Sequence, residues 1–230
     1  MSVQRVLHHF PLDPVSRQVR LVLGEKRLPF TEHSVRYWER PRELTKLNPS
    51  GMVPVLVETT EGGGLPLVLC EGRAILDHLE EACPEPALFA VDPAERAEAR
   101  RLLTWFERKF EFEASGYILH EKIEKRLLGL GAPDIPNLRR GREGLKTHLL
   151  VFEDLLQGRE WLAGKRLSLA DFVAAAHLSI IDYFGDMPWR EFPAVKTWYM
   201  KLKSRPCFRP LLNDRWPGLQ PAGHYDDLDF

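Results

Sequence analysis

Four short segments hold the side chains whose type and spacing bear on chemistry. Phe10-Pro11-Leu12-Asp13-Pro14-Val15-Ser16-Arg17 offers one carboxylate and one hydroxyl a turn apart, between an apolar run and a helical pattern. An ionised Asp accepts hydrogen bonds and has no proton to donate. Asp13 therefore suits a helix cap, with Ser16 either packed in the first turn or turned outward as a hydroxyl donor. Asn48-Pro49-Ser50-Gly51-Met52-Val53-Pro54 places a proline at a strand start after a turn, a position suited to a cis peptide, which would turn the Val53 backbone towards a ligand. Cys70-Glu71-Gly72-Arg73 carries an acid into a helix N-terminus, where backbone N–H groups hold anions. Leu167-Ser168-Leu169-Ala170-Asp171-Phe172 reads as a capping box, Ser168 at the cap and Asp171 three residues on, and capping alone accounts for it.

Other candidates are more ambiguous. His8 and His9 are adjacent on a strand and so point to opposite faces. Arg17 and Arg20 lie on the first helix; Arg17 could face a pocket, but solvation is the simpler account. Lys122, Lys125 and Arg126 alternate with Glu121 and Glu124 as a solvated helix face does, and Arg139, Arg140 and Arg142 form a denser basic cluster. Tyr37 and Trp38 stand between arginines in Arg36 to Pro41, and these residue types are enriched where proteins bind one another. Trp38 is thus a partner-binding candidate, with packing on its own domain as the alternative. The chain ends Tyr225-Asp226-Asp227-Leu228-Asp229-Phe230, acids interleaved with apolar groups. That pattern combines steering charge with anchoring surface for a partner; the alternative is a tail folded over a cleft of the same chain. No metal-ligand spacing is visible, and no metal is expected.

The elements that must position these groups fall into two regions. Strands are expected at Arg5 to Phe10, Phe30 to Val35, Val53 to Val57 and Leu65 to Leu69. A helix after Pro14 carries Val15, Val19, Val22 and Leu23 on one stripe, and another spans Glu71 to Glu81. The order is βαβ, a hairpin, then a helix, over residues 1–83. Residues 84–92 read as a linker. From Pro93, capped by Asp92, the pattern is helical: to about Ser115, then Tyr117 to Leu128, Leu138 to Leu156, Leu169 to Phe184 and Pro193 to Lys203. This helical domain occupies residues 93–215, and residues 216–230 read as an extended acidic-apolar tail.

Composition narrows the function classes. Lys+Arg 32 against Asp+Glu 33 leaves a formal charge of -1, which argues against a nucleic-acid binder working through a global positive field. Three cysteines without a CxxC pair suit a reducing compartment. The N-terminus has no apolar core of signal-peptide length, and no stretch is long enough for a membrane span.

The Pro54, Glu71 and Ser168/Asp171 segments together, on this frame, resemble the glutathione S-transferase family from Arg5 to about Leu211. The resemblance implies an α/β N-terminal thioredoxin-like domain, an all-α C-terminal domain and a homodimer. It also implies a glutathione-like pocket formed by Asp13, Ser16, Val53, Pro54, Glu71 and Gly72. Two of these depart from the family. Asp13 falls where a catalytic Ser or Cys is expected, and its charge would repel a thiolate by about 4 kcal/mol at 4 Å in an effective dielectric near 20. Gly72 replaces the Ser that helps hold the γ-glutamyl end. No cofactor is therefore expected, glutathione being doubtful, and no catalytic residue unless Ser16 serves. Within the family the chain is similar to alphaproteobacterial division proteins that bind the tubulin-like filament protein FtsZ, through Asp13-Pro14-Val15-Ser16, Gly72 and the tail. That likeness implies a non-catalytic, cytoplasmic dimer at the division site that binds FtsZ filaments and alters their bundling or curvature. The alternative is a glutathione-dependent transferase using Ser16 beside Val53, Glu71 and Gly72.

Overall fold

The computed structural model describes residues 3–228. β1 (Val3–His9) leads into α1 (Pro14–Glu25), and β2 (Thr31–Ser34) returns parallel to β1. A 3₁₀ turn at Tyr37–Glu39 and the short α2 (Arg42–Leu47) follow. β3 (Val55–Thr60) and β4 (Leu67–Cys70) form an antiparallel hairpin, and α3 (Gly72–Ala82) packs on α1. The sheet order is β2-β1-β3-β4, with Leu7 opposite Leu56 and His8 opposite both His33 and Val55. This is the mixed sheet expected of a thioredoxin-like domain. β3 begins two residues later than expected because Pro54 has no N–H for the ladder. It then runs on to Thr60 against Val3.

Helix α1 differs from its sequence pattern. Val19, Val22 and Leu23 are fully buried as the stripe requires, but Arg17, Gln18 and Arg20 are buried as well. Their side of the helix packs against the helix Leu169–Tyr183 of the second domain rather than facing water.

The helical domain opens with α4 (Pro93–Thr104), capped by Asp92 through the Ala94 and Glu95 amides. A π-helical stretch Trp105–Ser115, α5 (Gly116–Leu119), a second π-helical stretch His120–Glu124 and α6 (Lys125–Leu128) continue it without interruption to residue 128. The break expected near Ser115 is absent. The Gly116 N–H donates to the Glu111 carbonyl, five residues back, and a Cβ at 116 would lie 2.7 Å from that oxygen. Only glycine fits this widened turn. α7 (Ile135–Gln157), α8 (Leu169–Tyr183), α9 (Pro193–Lys203) and α10 (Arg209–Leu212) complete the domain. Every residue of α8 is buried. Its start is held by Asp171, which accepts from Ser168 N (2.9 Å), Ser168 Oγ (2.8 Å), Leu162 N (2.9 Å) and Trp198 Nε1 (2.9 Å).

The tail is not extended. Trp216 and Leu219 close a turn, Tyr183 Oη donates to the Leu219 carbonyl at 2.6 Å, and Ala222 N donates to the Tyr183 carbonyl at 2.7 Å. Leu219 and Tyr225 are buried against the helical domain. Among the described residues, no helix is long and apolar enough to cross a membrane.

Candidate functional site

A cleft of about 420 Å³ opens between the start of α1, the start of α3 and the π-helical rod. Its α1 wall follows from local capping. Asp13 caps α1, accepting from Ser16 N at 2.6 Å, and Pro14 occupies the first helical position. Burial pushes the Asp13 carboxyl up to about 6; the Ser16 hydrogen bonds oppose this, and the Glu111 charge adds to it. Ser16 itself is fully buried, and its Oγ accepts from Phe10 N at 3.3 Å. It does not line the cleft. Of the two readings of Ser16, the structure takes the packed one and not the outward hydroxyl donor: the first turn rotates it into the domain.

At the α3 wall the Val53–Pro54 peptide is cis, as expected of its place. Met52, rather than Val53 or Pro54, is the cleft-lining residue of that loop; Val53 is buried in the core. Glu71 holds φ +69°, a left-handed backbone unusual outside glycine. Gly72 has a packing reason as well as a chemical consequence. A Cβ there would stand 2.3 Å from Val15 Cγ1, so Val15 fills the space a serine would need. Of the six residues expected in a glutathione-like pocket, the cleft brings together Asp13, Glu71 and Gly72.

The rod supplies what the sequence reading missed. Glu107, Glu111, Gly116, Leu119, Ile123 and Glu124 all face the cleft. Glu107, Glu111 and Gly116 follow one another at four and five residues, wider than the 3.6 of an α-turn, and the π-helical stretch Trp105–Ser115 keeps them on one side. With Asp13 and Glu71 they make five carboxylates, against the single guanidinium of Arg73. Arg73 is engaged by Asp77 at 3.1 Å and Glu107 at 3.5 Å. Burial, and then neighbouring acids, push Glu107 and Glu111 above the ordinary carboxylate range. The signal was present as Glu107, Glu111 and Ser115 at four-residue intervals, and as one histidine in the apolar run of α8.

That histidine, His177, is buried and held neutral, with its pKa lowered to about 3 by desolvation. It ends a relay. Ser115 Oγ donates to Glu111, His177 Nδ1 lies 3.4 Å from Ser115 Oγ, and His177 Nε2 lies 3.4 Å from Gln18 Nε2. With Ser115 donating to the carboxylate, its oxygen accepts from a proton on Nδ1. Nε2 then accepts from the Gln18 amide, which leaves Gln18 Oε1 without a donor among the described residues.

The residues expected to bind a partner divide. Trp38 is half-buried in an aromatic cluster, 5.3 Å from Phe10 and 5.8 Å from Trp216 between ring centres. Tyr225 is fully buried, so the expectation that it touches a partner is corrected. Its Oη accepts from Arg17 Nη1 at 3.0 Å and donates to the Leu211 carbonyl at 3.1 Å. Asp226, Asp227 and Leu228 remain exposed, and Asp226 pairs with Arg215 at 3.3 Å. Asp229 and Phe230 lie outside the described residues. Arg17 is not solvated: it is fully buried and also donates to Ser179 Oγ (2.8 Å), the Pro11 carbonyl (2.8 Å) and Asp214 (3.0 Å). Arg20 donates twice to the same Asp214, at 2.8 and 3.0 Å. In the basic cluster Arg142 pairs with Asp186 at 2.6 Å, and the Arg140 guanidinium lies 4.8 Å from the Tyr117 ring centre.

The model of the glutathione S-transferase N-terminal domain matches residues 7–87, and that of the C-terminal domain matches residues 128–206. The chain belongs to the glutathione S-transferase family. Family members differ in their resemblance to it. FtsZ-localized protein A of Caulobacter vibrioides is 71% identical over 230 residues, all of both chains. The solved structure of FzlA from C. crescentus superposes with a TM-score of 0.96 at 70% identity, covering 99% of this chain and 100% of that one. A glutathione S-transferase from Rhodospirillum rubrum gives a TM-score of 0.93 at 46% identity, covering 98% and 100%. In this chain the family fold carries a cleft lined by five carboxylates.

Proposed function

We propose that this chain is a non-catalytic member of the family that associates with FtsZ at the division site. The observation that carries this is the 71% identity, over the whole of both chains, to FtsZ-localized protein A. The cleft supports the non-catalytic half. A transferase needs a donor to a thiolate, but Ser16 is sealed under the Phe10 amide and Asp13 presents a carboxylate. Five acids around the cavity raise the energy of an anionic tripeptide thiolate further. The reading in which Ser16 drives glutathione transfer is not favoured.

The tail supports the binding half. Tyr225 roots it in the fold, and Asp226, Asp227 and Leu228 project beyond that root. We assign these three as filament contacts. A homodimer would carry two such tips and so cross-link or bend a polymer with gained avidity. Co-sedimentation of the full chain with FtsZ filaments, read beside electron micrographs of the polymer, tests the proposal. Binding and altered bundling are expected, and Asp227→Lys should weaken both while leaving thermal stability and the light-scattering mass unchanged. Absence of co-sedimentation, or glutathione turnover abolished by Ser16→Ala, would overturn it.

A further inference from the structure

The cleft is built for something other than glutathione. Three independent features meet in it. Its carboxylates outnumber its cations five to one. Gln18, 1% exposed, lines the floor with its Oε1 unpaired, 3.6 Å from where a Cβ of residue 72 would stand. Between these polar groups the walls are apolar, including Leu12, Val15, Leu119 and Ile123.

The unpaired atom is an acceptor, so what it lacks is an N–H or O–H donor. The relay through His177 and Ser115 fixes that orientation, because turning the amide would aim its N–H₂ away from the ring nitrogen that needs a proton. The acids select a positive donor. A metal ion does not fit: among the described residues no three His, Cys, Asp or Glu side chains converge on one point. The charge is instead spread from Asp13 near the floor to Glu124, half-exposed, with hydrocarbon between. A guest that matches this has ammonium groups separated by methylene segments.

We propose that the cleft is a binding site for a small aliphatic polyamine. One ammonium is held by Gln18 Oε1 and Asp13, the chain lies along the apolar wall, and a second ammonium meets Glu111 and Glu124. Each ammonium gives a charge-assisted hydrogen bond in a partly desolvated site, where such bonds are strongest. Burial first, and a neighbouring acid after it, raise the titration of Asp13 and Glu111, and a bound cation would oppose both effects. The cleft lining includes neither Tyr225 nor the exposed tail residues.

Calorimetric titration of the full chain with spermidine tests this, with glutathione and the tripeptide Ala-Lys-Ala as parallel arms at matched ionic strength. One spermidine per chain is expected, with no heat from glutathione and weaker binding of the single lysine side chain. Asp13→Asn and Gln18→Leu should each weaken spermidine about tenfold, the scale of one such hydrogen bond. Asp226→Asn, an acid outside the cleft, should leave it unchanged. Glu111→Gln, on the rod wall of the cleft, provides a second acid variant should Gln18→Leu misfold. The proposal is overturned if spermidine gives no saturable heat, if Asp13→Asn and Glu111→Gln both bind like the parent, or if Ala-Lys-Ala binds more tightly.

Discussion

Arg17 and Gln18 are neighbours on α1, both buried, and they have opposite fates. Arg17 reaches the helical domain and the tail, where Asp214, Ser179, Tyr225 and the Pro11 carbonyl take up its donors. Gln18 reaches the cleft, and its Oε1 is left open. A buried charge must be compensated within the fold, so the Arg17 side is closed by chain-internal partners. A buried neutral acceptor costs less to leave unmade, so the Gln18 side can remain available to a guest. One side of the helix is closed within the fold and the other is left open at the cleft.

The comparison breaks most severely at Asp214. Asp214→Asn leaves the buried Arg17 guanidinium without its counter-charge and Arg20 with Glu32 alone, and should cost about 3–5 kcal/mol, read from urea unfolding. A small effect would mean that the Arg17 side does not depend on charge. The next test is His177. The unfolded chain binds its proton below the ordinary 6.5, the folded one only near 3. Stability is therefore lost as pH falls through that window, by about 1.4 kcal/mol per unit. His177→Asn should gain about 2 kcal/mol on the parent between pH 7 and pH 5 on that slope, and parallel pH profiles would contradict the neutral assignment. Gly72→Ser tests whether packing fixes the departure: overpacking against Val15 should cost about 1–2 kcal/mol, relieved by Val15→Ala. Glutathione should still not bind the double variant in calorimetry, because the acids remain. Smallest is Tyr225→Phe, which removes one acceptor from Arg17 and should lower stability by about 1 kcal/mol in a thermal melt.

Much of the frame was legible in the sequence. The βαβ-hairpin-helix order follows from alternation and from proline and glycine punctuation, and α9 from Pro193 to Lys203 matches residue for residue. Ser168 and Asp171 read correctly as architecture, because a cap is a local device. What was not legible is long-range or off-period. Arg17 read as solvated because its partners lie 197 and 208 residues away. The rod's acids read as surface or went unread because α-helical spacing scatters them, and only the π-helical stretches gather them. The tail read as extended because its prolines and glycines show no helical period, yet Leu219 and Tyr225 are enough to pin it. Asp13 and Gly72 were identified from the motif, but the acidity of the cavity around them required the fold.

The Arg17 anchor also sets an order of events in the cell. Arg17 is made 197 residues before Asp214 and 208 before Tyr225. At 5–20 residues per second, the guanidinium waits roughly ten to forty seconds for its counter-charge. The sheet can assemble meanwhile, but the buried side of α1 cannot close until Asp214 and Tyr225 have been made. A product cut short before Asp214 would carry an exposed, unneutralised seam between its two domains, a mark by which proteases can tell an incomplete chain from a finished one.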